Sequence, residues 1–164
     1  MVDNKLKELP DPPESGLKPH VAPFKPQRLF RVHPNKHAST SFNRGFGIGR
    51  FHPIYDQSGK SIPTLYASDQ INGALSETVF GNTMSGDVVY QAELIDKYLS
   101  RITYQKELQL IDLTGNYIKR LKITRLQLIE SEEADYKITA RWAEALHRAC
   151  PKAHGIKWVS RQFN

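Results

Sequence analysis

The sequence predicts an α+β fold. Three observations carry this. Short stretches of alternating apolar residues rich in β-branched side chains recur along the chain. Two longer stretches carry apolar residues at helical spacing. The two kinds do not succeed one another as regular β–α–β units, which a doubly wound sheet requires. A chain of 164 residues, 39% of them hydrophobic, fits one domain with an ordinary core.

Residues 1–27 read as a proline-rich arm. Pro10, Pro12, Pro13, Pro19, Pro23 and Pro26 are six of the ten prolines in the chain. Each fixes φ and removes a backbone donor, so the stretch is expected to be extended and irregular. From Arg28 the pattern changes, and residues 28–164 form the expected domain. "RLFRVH" predicts a strand with Phe30 and Val32 toward a core and Arg31 on the other face. The glycine-rich "RGFGIGRF" follows, then a turn at "DQSGKS". "IPTLYA" predicts a second strand, with Leu65 and Ala67 on one face and Tyr66 on the other.

Ser68 is the expected cap of a helix running to about Phe80 and ended by Gly81. Ile71, Ala74, Leu75, Thr78 and Val79 form its apolar stripe, and Glu77 lies away from it. "DVVYQAEL" and "LQLIDL" predict strands. "TGNYIKRL" predicts a short helix capped by Thr114. "SEEADYKITARWAEALHRAC" is the strongest helical signal, with Ile138, Trp142, Ala145, Leu146 and Ala149 on one face and Pro151 as its stop. "GIKWVS" predicts a closing strand leading to Ser160.

Composition narrows the function classes. No run of apolar residues is long enough to span a bilayer, and the N-terminus lacks the apolar core of a signal peptide. A cytoplasmic protein with no membrane association is therefore expected. Cys150 is the only cysteine, which rules out a disulfide framework or a cysteine-rich metal site. The net charge of +6 favours anionic partners without choosing among them. Aromatic residues are not interleaved with basic ones along one face. A stacking platform for single-stranded nucleic acid is therefore not evident, and direct nucleic-acid binding is not expected.

The glycine loop is not a nucleotide fingerprint by itself. "GFGIG" lacks the G-x-G-x-x-G order, and Pro53 arrives where a helix would have to open. Metal readings are weak. His33 and His37 are separated by Pro34, and His147 and His154 lack companions at a recognised spacing. All four read as surface or turn histidines, and no metal is expected. No G-x-S-x-G elbow is present.

The ordered set Arg31, Arg50, Tyr66, Glu77 and Ser160 is more informative. It lies in "LFRVHP", "GIGRFHP", "LYASDQINGALSET" and "GIKWVSRQFN". In order and context these segments resemble the RES family, named for an Arg, a Glu and a Ser, from about Arg28 to Asn164. The resemblance implies an ADP-ribosyltransferase-like arrangement of mixed sheets with flanking helices. It also implies a toxin of a bacterial toxin–antitoxin pair that consumes NAD⁺. Cleavage of the nicotinamide–ribose bond by phosphorolysis, as an NAD⁺ phosphorylase, or by hydrolysis is the leading expectation. Mono-ADP-ribosylation of a protein is the alternative. An Xre-like antitoxin is the expected protein partner, and inorganic phosphate a co-substrate if the reaction is phosphorolysis.

The residue types suit that chemistry. Losing nicotinamide builds positive charge on the ribose, as in glycoside hydrolysis. Glu77, matching the family glutamate, would stabilise that charge and hold a ribose hydroxyl. Arg31 and Arg50 offer planar forks for the pyrophosphate. Tyr66 offers a ring face or a hydroxyl, and Ser160 a hydrogen bond to ribose or phosphate. Catalysis is thus expected of Glu77, Arg50 and Ser160, and NAD⁺ binding of Arg31, Arg50, Tyr66 and Ser160. Arg44, His52 and Arg161 neighbour the matched positions as accessory residues at best. Taken singly, each has an ordinary alternative: a solvent-facing charge for Arg31 and Glu77, a turn contact for Arg50 and Ser160, a half-buried strand aromatic for Tyr66. The chain stops four residues after Ser160, where RES domains usually continue. This raises the expectation of a C-terminal truncation and of a remnant that only binds its antitoxin or nucleic acid.

Overall fold

The structure, a computed structural model, describes residues 8–25, 28–79 and 94–160. Among the described residues, seven short strands and three α-helices mix in an α+β arrangement. The chain divides into two compact units. The first takes the residues up to Phe24, Asn43–Thr64 and Leu108–Val159; the second takes Lys25–Phe42, Leu65–Glu107 and Ser160 onward.

The first unit is organised around a three-stranded sheet. Strand β1 (Val21–Phe24) pairs antiparallel with β6 (Leu108–Asp112), placing Val21 opposite Ile111 and Phe24 opposite Leu108. Strand β7 (Gly155–Lys157) pairs parallel on the other side of β6, with Ile156 opposite Ile111. β1 corrects the expectation that the proline-rich stretch is irregular throughout. Alternating exposed and half-buried residues in "VAPF" suit one covered face, and Pro23 sits in an outer strand, where a missing N–H is tolerated. Further upstream, Leu9 is buried at 4% exposure. Trp142 Nε1 donates to the Pro10 carbonyl at 2.7 Å, and Gln127 Nε2 donates to the Glu8 carbonyl at 2.9 Å.

Helix α3 (Tyr136–Ala149) supplies the core of this unit, with Thr139, Ala140, Trp142, Ala143, Ala145 and Leu146 buried. The buried face is broader than the predicted stripe, taking in Thr139, Ala140 and Ala143, while Ala149 is exposed. A short 3₁₀ turn (Glu133–Asp135) precedes α3, and the helix ends at Cys150, just before Pro151. Helix α2 (Arg125–Leu128) is a single turn held by a capping box. Thr124 Oγ1 accepts from Gln127 N, and Gln127 Oε1 accepts from Thr124 N. The segment predicted as a helix behind Thr114 is a 3₁₀ turn at Ile118–Leu121 whose cap position is Tyr117. Thr114 instead donates its N–H to Asp112 Oδ1.

The predicted turn at "DQSGKS" joins two short strands, β3 (Ile54–Tyr55) and β4 (Ser61–Ile62). Asp56 Oδ1 organises it by accepting from Ser58 N, Ser58 Oγ and Lys60 N. α3 packs against β3, and Glu144 accepts from Tyr55 N.

The second unit is built on β2 (Leu29–Pro34) and β5 (Lys97–Ile102), antiparallel over six residue pairs from Leu29–Ile102 to Pro34–Lys97. Helix α1 (Ile71–Thr78) packs against β2. The predicted strand "IPTLYA" is broken up: Ile62 belongs to β4, Thr64 exchanges backbone hydrogen bonds with Asn43, and Leu65–Ala67 lies in no strand before a bridge at Ser68. Phe30 N donates to Ser68 O at 2.6 Å and Ser68 N to Phe30 O at 2.8 Å. Gln70, not Ser68, is the cap residue of α1; Ser68 Oγ accepts the Gln70 N–H, organising the turn just before the helix. A side chain at Gly73 would collide with that same hydroxyl, so glycine here permits the close approach. Ala74 and Val79 are buried as the stripe predicts, while Ile71 is exposed. The predicted strand "DVVYQAEL", apart from Leu94, and the predicted helix end at Phe80 and Gly81 lie outside the described residues.

Candidate functional site

Each predicted residue has a definite place. Arg31 lies on β2, half-buried, and its Nη1 donates to the carbonyls of Ser39 (2.8 Å) and Ser41 (2.7 Å). These two bonds use both protons of one nitrogen. Among the described residues the Nε–Nη2 edge makes no further hydrogen bond. That edge is the one that pairs with two oxygens of a phosphate or carboxylate. Burial lowers the Arg31 pKa from its ordinary value.

Tyr66 stands two residues before Ser68, half-buried, and the Phe30–Ser68 bridge brings its segment alongside the strand that carries Arg31. Glu77 is exposed near the end of α1. Its side chain has no hydrogen bond or ion pair among the described residues. Ser160 is half-buried, three residues past β7, and is engaged in a polar or ring contact. Arg31, Tyr66, Glu77 and Ser160 all belong to the second unit.

Arg50 belongs to the first unit and is anchored there. Its Nη1 donates to Ser131 Oγ at 2.7 Å and to the Ser131 carbonyl at 3.0 Å, with a longer 3.5 Å approach to the Leu128 carbonyl. Its guanidinium lies 5.1 Å from the centre of the Tyr136 ring, and Thr139 Oγ1 donates to its backbone carbonyl. Arg50 therefore ties the glycine loop to the α2–α3 connection.

The loop itself is a shaped structure. Asn43 bridges to Thr64 through its backbone, and its Oδ1 accepts from Gly45 N and Phe46 N. Gly45 and Gly47 adopt φ of 114° and 72°, conformations costly for other residues. The loop presents Phe46 and Ile48 at 81% and 64% exposure. Burial lowers the pKa of His52, which exchanges backbone hydrogen bonds with Gly49.

His33 corrects an expectation. It is not a surface histidine but is 3% exposed within β2. Its Nε2 is 2.8 Å from Ser100 Oγ, and its Nδ1 is 3.0 Å from the Pro34 carbonyl. The signal in the sequence is its two-residue spacing from Arg31, which puts both on one face of a strand. Ser100 has no such signal, because it arrives through pairing with β5. Among the described residues no group of three or more His, Cys, Asp or Glu side chains is placed to hold a metal. No helix among them is long and apolar enough to cross a membrane.

A family model for the RES domain matches residues 28–164, and the chain belongs to that family. The family is NAD⁺-related and is associated in general with toxins and antitoxins. No curated protein and no solved structure matches the chain.

Proposed function

We propose that this protein is a toxin that consumes NAD⁺ by cleaving its nicotinamide–ribose bond, passing the ADP-ribosyl group to inorganic phosphate or to water. The observation that carries this reading is the RES match over residues 28–164, which contains Arg31, Arg50, Tyr66, Glu77 and Ser160 in order. The local geometry supports it. Arg31 is steadied through one nitrogen and keeps a two-donor edge for a pyrophosphate oxygen pair. Glu77 holds an exposed carboxylate with no competing partner among the described residues, as a group that must meet ribose hydroxyls and a developing cation requires. Tyr66 is assigned to the nicotinamide ring or a ribose hydroxyl, and Ser160 to ribose or phosphate. Arg50 is assigned to the phosphates by its place in the order of the family's residues, and within its own unit Ser131 and Tyr136 hold its orientation.

An Xre-like antitoxin is the proposed protein partner, and the cytoplasm, where NAD⁺ is available, the proposed location. The test is nicotinamide release from NAD⁺ by the purified chain, with and without inorganic phosphate. Release stimulated by phosphate supports phosphorolysis, and release indifferent to it supports hydrolysis. Folded protein that releases no nicotinamide under either condition rejects the proposal.

A further inference from the structure

His33 and Ser100 form a pair that the proposed chemistry does not use. A carbonyl oxygen only accepts, so the 3.0 Å contact between His33 Nδ1 and the Pro34 carbonyl places the ring proton on Nδ1. In the neutral ring Nε2 then carries the lone pair, and the 2.8 Å contact with Ser100 is the serine hydroxyl donating to it. This is the arrangement of an activated nucleophile: a hydroxyl aimed at one imidazole nitrogen while the other is fixed by a third group. His33 is buried, which keeps water from competing for its lone pair, while Ser100 is half-buried.

The register of β2 against β5 adds a second observation. Ser100 is the cross-strand partner of Arg31. Directly opposed residues share a face of the sheet, and His33, two residues along, shares it as well. The imidazole, the hydroxyl and Arg31 therefore lie side by side on one face.

We propose that Ser100 is an acceptor hydroxyl for the ADP-ribosyl group, with His33 as its general base, so that the protein modifies itself. This rests on the NAD⁺-cleaving reading above. In the step, the C1′–N bond to nicotinamide breaks and its electron pair leaves with neutral nicotinamide. A bond forms from Ser100 Oγ to C1′, and the hydroxyl proton passes to His33 Nε2.

The experiment incubates the full chain with NAD⁺ and follows nicotinamide release together with intact mass and peptide mapping. The expected result is a mass increase of one ADP-ribosyl group mapped to Ser100. Ser100→Ala loses it and Ser100→Thr, which keeps a hydroxyl, retains it. His33→Gln slows labelling about 100-fold or more, the range of a lost general base. Circular dichroism establishes that each variant is folded. A fluorophosphonate probe, which reports serine activation without NAD⁺, labels Ser100 in the unmodified chain and fails to label it in His33→Gln. Nicotinamide release with Ser100 unmodified overturns the inference and leaves the proposed function standing. Absence of nicotinamide release overturns both. Equal labelling of wild type and His33→Gln removes His33 as the base.

Discussion

Trp142 Nε1 donates to the carbonyl oxygen of Pro10 at 2.7 Å, joining residues 132 positions apart. The indole is 1% exposed and Leu9 beside the acceptor is 4% exposed, so the proline-rich stretch is part of the first unit's core. Trp142→Phe removes the donor and leaves a void. It is expected to lower stability by about 1–3 kcal/mol, and Leu9→Ala by about 2–4 kcal/mol. Urea unfolding measures both; unchanged midpoints would mean the stretch docks without stabilising.

Arg50 is expected to be a stability residue whatever its ligand role. Arg50→Ala removes charge-assisted bonds to Ser131 and the contact with Tyr136, a loss of about 2–4 kcal/mol. A variant as stable as the parent, but without NAD⁺ cleavage, would assign the arginine wholly to the substrate.

Glu77→Gln separates chemistry from folding in the other direction. The exposed carboxylate has no hydrogen bond or ion pair among the described residues, so stability is expected to change by less than about 0.5 kcal/mol. Nicotinamide release is expected to fall by about 100-fold or more, as when an electrostatic stabiliser of a transition state is removed. Full activity in this variant would reassign the carboxylate.

Arg31→Lys keeps the charge but cannot both reach the Ser39 and Ser41 carbonyls and offer a planar fork. Calorimetric titration of NAD⁺ into the inactive Glu77→Gln background is expected to show affinity weakened about 10-fold, the loss of one charge-assisted bond. Equal affinity with and without Arg31→Lys in that background would remove Arg31 from the phosphate site.

The pH dependence follows from His52. Burial holds its pKa below that of the unfolded chain, so the unfolded state binds the proton more readily. Its contribution to stability is fully present above the unfolded value of about 6.5 and declines as pH falls from there toward the folded value. The melting temperature is therefore expected to be lower near pH 5 than near pH 7.5, with a smaller difference in His52→Gln. An identical pH response in the variant would place the effect elsewhere.

Elements with strong local periodicity were legible in the sequence. α3, β2, β6 and β7 follow from apolar spacing and β-branched content. The departures have physical causes. "VAPF" carries a proline and no long alternation, and becomes a strand only because β6 offers it an edge. "IPTLYA" has strand composition, but only Ile62 lies in a strand, and its one further bridge is at Thr64. Ser68 and Thr114 read as caps by residue type, yet each sits short of its helix. For the candidate site, order along the chain identified the residues, and their partners came only from the fold. Nothing near Arg50 in sequence announces Ser131 or Tyr136, and nothing near His33 announces Ser100.

The strand order β1–β6–β7 also fixes a timetable. The middle strand leaves the ribosome about 45 residues before the partner that closes its parallel side, an interval of several seconds at about 5–20 residues per second. Through that interval Leu110 and Ile111 can be paired by β1 on one side only, and the other side stays open to any passing strand. A reading-frame error upstream of Gly155 would make that state permanent. The nascent chain is then a substrate for chaperones and proteases before it can act on anything of its own.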